Sequence, residues 1–475
     1  MSPTSVLLLL AAVLSCHCHV AAATLECSCN GTQHGRRRGL GINYGTVGDD
    51  LPSAARSVDL LRSAGAGAVK IYDANPSILS ALAGTGLPVS VMVPNALIPS
   101  LAASQSAADA WVSSNLLPHT QATRVVHLLV GNEVLSDASL AGSTWPRLVP
   151  AMTNLHHALH AHGLGKIKLG TTIAMDALAA SYPPSAGAFR DDLADPVIRP
   201  LLRFLNATNG FYFVDAYPYF AWASNPGSIS LDYALFQGGE SSHYVDPGTR
   251  LTYTNLLDQM LDAVVAAMTR LGYGNVKLAV SETGWPSGGD AAGASIRNAA
   301  TYNRNLAARI ARNPGTPARP GAKMPVFLFA LYNEGRKPGA ATERHWGLFY
   351  PNESRVYDVD LTGRRAADSY PPLPPSGDGG PPVWCVLAGG KVADEKAVRD
   401  AVTYACQQGT GTCSAIQRGG ACHKPDTLAA HASYAFNAYW QRFRGVGGTC
   451  FFNGLAETTT KDPSHGSCKF ASSLD

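Results

Sequence analysis

Two glutamates carry the strongest chemical signal in this 475-residue chain. Glu133 closes the stretch VVHLLVGNEV and Glu282 lies near the end of VKLAVSETGW. A carboxylate at the end of a buried apolar strand is costly unless it is paired or put to use. Two of them at matching strand ends suit glycosidic cleavage, in which one protonates the leaving oxygen and the other attacks or activates water. Each alone is better read as an ion-paired or hydrogen-bonded rim residue; the pair at matching strand ends reverses that preference. GxSxG, HExxH and nucleotide-loop motifs are absent. His156, His157, His160 and His162 cluster on one expected helix, where an outer, partly exposed face accounts for them better than a metal.

These carboxylates need a frame. Short apolar runs at Leu40–Tyr44, Ala68–Tyr72, Val89–Val93, Val125–Val130, Ile167–Ile173, Phe213–Tyr217, Val276–Val280 and Val326–Leu331 make eight expected strands. Between them, Leu51–Ser63, Ala107–Leu117, Leu148–His162, Asn255–Leu271 and Ile296–Arg312 repeat apolar residues at helical spacing. Parallel strands joined by helical crossovers predict an α/β fold, a (β/α)8 TIM barrel. A doubly wound sheet competes, but GTVG after the first strand lacks a phosphate-loop pattern. In a barrel the site forms at the C-terminal strand ends. Those ends carry Tyr44, Tyr72, Asp73, Asn95, Asn132, Glu133, Asp176, Asp215, Tyr217, Glu282, Asn333 and Glu334.

Composition bounds the rest. The 37 basic and 34 acidic residues leave a net charge of +3, which gives nucleic acid or an anionic membrane no general handle. Residues 1–23 are expected to be a secretory signal, with an apolar run at Val6–Leu14 and small residues up to Ala23; the run is too short to span a bilayer. Residues 24–39 form an N-terminal arm holding Cys27, Cys29 and Arg36–Arg38. Secretion makes Asn30, Asn206 and Asn352 glycosylation candidates, each heading an Asn-x-Ser/Thr triplet. Residues 370–382, YPPLPPSGDGGPP, hold six prolines and are expected to link a 40–369 barrel to a 383–470 domain, with a 471–475 tail. Cys385, Cys406, Cys413, Cys422, Cys450 and Cys468 fall in that second domain and suggest a small disulfide-stapled unit. Six cysteines permit 15 pairings, and the spacing does not choose among them. Metal binding through Cys422 and His423 is the weaker alternative, since paired CxxC spacing is missing.

The motifs GINYG from Gly41, VKIYDANPSIL from Val69, VMVPN to Asn95, VGNEV around Glu133, DAYPYF from Asp215, ISLDYALF from Ile229, SETGWPSGG from Ser281 and ALYNEGRKPGAATERHWGLF from Ala330 resemble the plant β-1,3-glucanases of glycoside hydrolase family 17. The resemblance runs from about Leu40 to Leu361. It implies a TIM barrel and a retaining endo-hydrolase of β-1,3-glucan that needs no cofactor or metal. Glu133 would be the general acid/base and Glu282 the nucleophile, with carboxyls roughly 5 to 5.5 Å apart. It further implies that Asn132 bonds a sugar 2-hydroxyl and that Glu334, Lys337 and Glu343 support the site. Tyr44, Asn95, Tyr217 and Trp285 are expected to contact sugar.

Residues 383–470, with VWCV, CSAIQRGGAC, HASYAFNAYWQ, GTCFF and DPSHGSCKF, resemble the X8 domain, also called carbohydrate-binding module family 43. This implies a mainly helical fold with three disulfides and binding of β-1,3-glucan, which would raise the local concentration of polymer at the cleft. Tyr434, Phe436, Tyr439 and Trp440 are possible ligand contacts, though helical spacing favours a core role for most. The chain ends ASSLD without the apolar tail that precedes a glycolipid anchor. The expectation is a monomeric, wall-associated secreted enzyme. A glucan transglycosylase using the same intermediate and an inactive glucan-binding wall protein are the competing readings.

Overall fold

The computed structural model describes residues 39–373 except 49 and 290, residues 384–472 except 391, 393, 410, 444–449 and 460, and the backbone of an antiparallel hairpin pairing Cys16–Ala21 with Thr24–Cys29. The expected cleavage after Ala23, Asn30, Arg36–Arg38 and most of the linker lie outside the described residues. Among the described residues no helix is long and apolar enough to cross a membrane.

Eight parallel strands close into a barrel: β1 Gly41–Tyr44, β2 Ala68–Ile71, β3 Val89–Val93, β4 Val125–Asn132, β5 Lys168–Ala174, β6 Phe211–Asp215, β7 Lys277–Thr283 and β8 Val326–Leu328. Neighbours in sequence are neighbours in space, and β8 pairs with β1 to complete the ring. The principal crossover helices are α1 Ala54–Ser63, α2 Pro76–Ala81, α3 Gln105–Asn115, α4 Leu148–Ala161, α5 Arg199–Thr208, α6 Leu256–Arg270 and α7 Ile296–Arg312.

Local chemistry sets the boundaries. Pro52 precedes α1, so the helix starts two residues later with Ser53 accepting from the Arg56 amide. Ser104, Asn255 and Ser295 cap α3, α6 and α7 in the same way. The apolar run expected at Phe213–Tyr217 starts earlier as β6, because Phe211 already pairs with Lys277. The run expected at Val326–Leu331 leaves the ladder after Leu328.

Strand alternation divides the core. Met92, Leu129, Phe213, Ala279 and Phe327 converge from five strands to fill the barrel interior. The alternate residues, among them Leu128, Val130, Tyr212, Val214, Leu278 and Val280, pack outward against the helices. Tyr370 is sandwiched between the guanidinium groups of Arg304 and Arg365, at 4.1 and 4.4 Å, and Leu373 packs on the barrel core. The first four residues of the expected linker are therefore part of the barrel wall.

The C-terminal domain is built on α8 Glu395–Gln407, α9 Leu428–Phe443 and a two-stranded sheet of β9 Trp384–Leu387 with β10 Ala456–Thr459. Of the 15 pairings open to its cysteines, the structure has Cys385–Cys450, Cys406–Cys413 and Cys422–Cys468. Cys422 is thus not a free thiolate for a metal. Phe436 and Trp440 are fully buried in its core, whereas Tyr434 and Tyr439 are only partly covered.

Candidate active site

Glu282 reaches the barrel mouth because β7 breaks its own alternation. Strict period two would turn Glu282 outward with Leu278 and Val280. The ladder to β8 instead skips from Val280 to Thr283, and Asp215 of β6 pairs with Glu282 across a second register shift. This bulge changes the parity. Thr283 faces out, sharing a 2.6 Å hydrogen bond with the Tyr302 hydroxyl of α7, and Glu282 faces in.

Three donors then hold the carboxylate. Lys70 Nζ and the Tyr72 hydroxyl both donate to Oε1 at 2.6 Å, and the Tyr217 hydroxyl donates to Oε2 at 2.8 Å. Burial pushes the Glu282 carboxyl up, but the Lys70 charge and the three donors outweigh it, leaving the group below the usual carboxylate range.

Glu133 is placed by backbone geometry. β4 loses its register between Leu129 and Asn132, Gly131 sits at φ 78°, and Glu133 itself lies in the left-handed region at φ 47°. For a non-glycine residue this costs about 1–3 kcal/mol. Two acceptors on Thr172, its carbonyl oxygen at 3.1 Å and its hydroxyl at 3.2 Å, hold the Glu133 amide. Burial, then the neighbouring negative charge of Glu282, push the Glu133 carboxyl up to about 7 against the opposing pull of Lys70. One carboxyl is therefore kept ionised and the other kept protonated to near neutrality.

Both face a cleft of about 730 Å³ lined also by Asn132, Asp176, Asp215, Tyr217, Phe220 and Trp346. A hollow of about 700 Å³ at the N-terminal side of β7, beside Lys277, Leu278 and Arg319, is lined by no carboxylate. Asn132 receives the Thr172 hydroxyl on its side-chain oxygen at 2.9 Å. Asn95, expected to touch sugar, instead brackets the backbone of Asn132: its Nδ2 donates to the Asn132 carbonyl at 2.9 Å and its Oδ1 accepts from the Asn132 amide at 2.7 Å. Lys337 and Glu343 line the cleft. Glu334 sits behind it, accepting from the Val47 amide at 2.8 Å and lying 3.6 Å from Lys337 Nζ.

Two expected sugar contacts belong to the core. Trp285 is 0% exposed, packs against Tyr219, Trp222 and Tyr302, and donates its indole N–H to the Gly293 carbonyl at 2.7 Å. Tyr44 points outward, where it and Tyr332 each donate to Ser57 Oγ at 2.9 Å. The aromatic surface of the cleft comes from Tyr217 and Phe220, with Phe220 45% exposed and Tyr217 packed edge-on at 5.0 Å against Trp346, which is itself buried at 2% exposed. Lys70 was not singled out from sequence. Its signal is a lone lysine on the inward-facing register of an otherwise apolar strand.

Elsewhere, the His156 and His160 rings meet on α4, on the outside of the barrel. Asn206 and Asn352 are exposed.

Comparison with known proteins agrees along the chain. The family model "Glycosyl hydrolases family 17" matches residues 40–361 and the X8 domain model matches residues 383–457. An Arabidopsis thaliana protein named "Probable glucan endo-1,3-beta-glucosidase A6" is 48% identical over 440 residues, 91% of each chain. A glucan endo-1,3-beta-D-glucosidase of Olea europaea is 38% identical over 91% of this chain and 93% of its own. Among solved structures, CJP38, a beta-1,3-glucanase and allergen of Cryptomeria japonica pollen, is 40% identical with a TM-score of 0.65, covering 68% of this chain and 99% of that one.

Proposed function

The chain belongs to glycosyl hydrolase family 17 and carries an X8 domain behind its barrel, and from that premise we propose that it is a secreted, retaining endo-β-1,3-glucanase acting on cell-wall glucan of the callose or laminarin type. The observation that carries this reading is the opposite tuning of two cleft carboxyls: Glu282 held ionised by Lys70, Tyr72 and Tyr217, and Glu133 held protonated up to about pH 7. Glycosidic cleavage by a pair of carboxyls requires that division of labour, and retention is what the family resemblance implies. Its relatives are named for hydrolysis of β-1,3-glucan, which supports the same substrate here.

In the first step Glu282 attacks the anomeric carbon while Glu133 protonates the departing glycosidic oxygen. The C–O bond to the leaving chain breaks, a glucosyl ester forms on Glu282, and Glu133 is left ionised. Glu133 then takes a proton from water, whose oxygen displaces Glu282 and restores both groups. Lys70 and the two tyrosines stabilise Glu282 as a carboxylate before attack and again as a leaving group. Asn132, held by Asn95 and Thr172, is presented to the sugar hydroxyl beside the reacting carbon. Tyr217 and Phe220, backed by the buried Trp346, supply apolar faces for glucose rings. The X8 domain tethers the enzyme to insoluble glucan.

Reducing-sugar release from a panel of β-1,3-, β-1,4- and mixed-linkage glucans tests the assignment, with Glu282→Ala as control. The reading predicts release from β-1,3-glucan that falls by several orders of magnitude in the variant. Equal release from β-1,4-glucan would overturn the linkage, and products longer than a laminari-oligosaccharide substrate would redirect the intermediate to transglycosylation.

A further inference from the structure

The C-terminal domain holds a second cluster of chemistry-bearing residues that the glucan reading does not use. His423 and Asp426 stand on the loop that enters α9, and His431 stands on the first turns of that helix. The His423 Nε2 lies 3.8 Å from Asp426 Oδ2 and the His431 Nε2 lies 4.0 Å from Asp426 Oδ1. The two imidazoles are stacked, their planes 23° apart and centroids 5.8 Å apart.

These separations are too long for hydrogen bonds, which end near 3.2 Å for N–H···O. They are close to the spacing of ligands around one small cation. With metal–ligand bonds of about 2.0–2.1 Å, tetrahedral donors lie about 3.4 Å apart; the three ligand atoms lie within 4.8 Å of one another, so the two Asp426 contacts would close by about half an ångström and the widest separation by up to about 1.4 Å. Each carboxylate oxygen already faces a different imidazole. In the metal-free protein His431 Nε2–H donates to the His423 carbonyl oxygen at 2.9 Å, so metal entry exchanges that proton for the cation while the ring keeps a proton on Nδ1.

The cluster is also held in place. Cys422 anchors the loop through its disulfide to Cys468 and through its backbone N–H, which donates a hydrogen bond to the Ala415 carbonyl at 2.8 Å. His465 approaches the Lys424 carbonyl at 3.2 Å from the other side. The imidazoles are largely covered, with 25% and 19% of their side chains exposed, whereas the Asp426 side chain is 67% exposed and open to solvent. An entry path therefore exists on the carboxylate side.

We propose that His423, Asp426 and His431 form a divalent transition-metal site that pins the loop after Cys422 to the start of α9. Two imidazole nitrogens and one carboxylate oxygen suit zinc and its neighbours rather than calcium or magnesium, which prefer all-oxygen shells. The site adds a reversible cross-link beside a covalent one, and it lies outside the catalytic cleft.

The test is calorimetric titration of Zn2+ into the full-length protein after removal of metal with a chelator, comparing wild type with Asp426→Asn and His431→Gln. Asp426 is exposed, so its replacement spares the fold and decides the matter if the histidine variant does not fold. Wild type should take up one equivalent that Asp426→Asn binds at least about 10-fold more weakly, the loss expected when even a supporting metal-site residue is removed. Zn2+ should also protect the Cys422–Cys468 disulfide from reduction in wild type and not in the variants. Binding by the His156/His160 pair would persist in all three proteins and is subtracted by the comparison. Equal uptake by wild type and Asp426→Asn, or no saturable uptake by wild type, overturns the proposal.

Discussion

Lys70 Nζ lies 2.6 Å from Glu282 Oε1, with 0% and 8% of their side chains exposed. The pair joins β2 to β7 across the barrel interior. A buried carboxylate without a partner is a liability, and breaking such a pair costs about 3–5 kcal/mol. In Lys70→Met the Glu282 carboxyl should move up in pKa. Wild-type Glu282, depressed below its unfolded value, contributes stability above the unfolded pKa and loses it as pH falls through the folded pKa. The deficit of the variant should therefore be full at pH 7 and smaller at an acid pH at which Glu282 has protonated in the variant. Urea unfolding at the two pH values measures it, and equal deficits would reduce Lys70 to packing.

The two carboxyl pKa shifts fix the sign of each limb of the pH profile. Activity requires Glu133 protonated and Glu282 ionised, so kcat/KM should fall as pH rises through about 7 and fall again only below the ordinary carboxylate range. In Glu282→Gln the negative charge beside Glu133 is gone, and the Glu133 carboxyl should titrate at lower pH than in wild type. Carbonyl-region infrared or NMR titration reads that shift directly.

Trp285 should behave as a core residue. Trp285→Phe removes the indole bond to Gly293 and leaves a void, a loss of about 1–3 kcal/mol. Thermal melts should show it while KM for laminari-oligosaccharides stays within about twofold. A large rise in KM at unchanged stability would restore the sugar-platform reading. Phe220→Ala, on the cleft side of the same aromatic cluster, is expected to raise KM.

Ending the chain after Leu373 keeps Tyr370 and Leu373 on the barrel wall and removes the C-terminal domain. Hydrolysis of short soluble oligomers should be retained, and association with insoluble β-1,3-glucan should weaken. Sedimentation with the polymer decides between this and a barrel that binds the polymer unaided.

Strand ends made the positions of Glu133 and Glu282 legible, because a carboxylate after an apolar run is rare enough to notice. Their directions were not legible. Period-two reading alone sends Glu282 outward, and only the shift in pairing between Val280 and Thr283 turns it into the barrel. Trp285 misled for a related reason: a Gly-Trp-Pro turn after a strand looks like a rim platform, yet Tyr219 and Trp222 from one helix and Tyr302 from another cover it. Asn95 was placed at the mouth correctly but faces the Asn132 backbone. Lys70 escaped notice because its partner lies 212 residues away in sequence. The cysteine pairing was closed to sequence reasoning, since spacing alone leaves every connectivity open.

The central claim is that Glu282 forms the covalent bond to sugar with Glu133 as its acid/base partner. A 2-deoxy-2-fluoro β-1,3-linked glucosyl donor with an activated leaving group slows both steps and, through that leaving group, lets the ester accumulate. Peptide mass spectrometry of the inactivated protein should find one glycosyl adduct, on the peptide containing Glu282, and none in Glu282→Ala. An adduct on Glu133 or Glu343, or inactivation with Glu282 unmodified, would contradict the account.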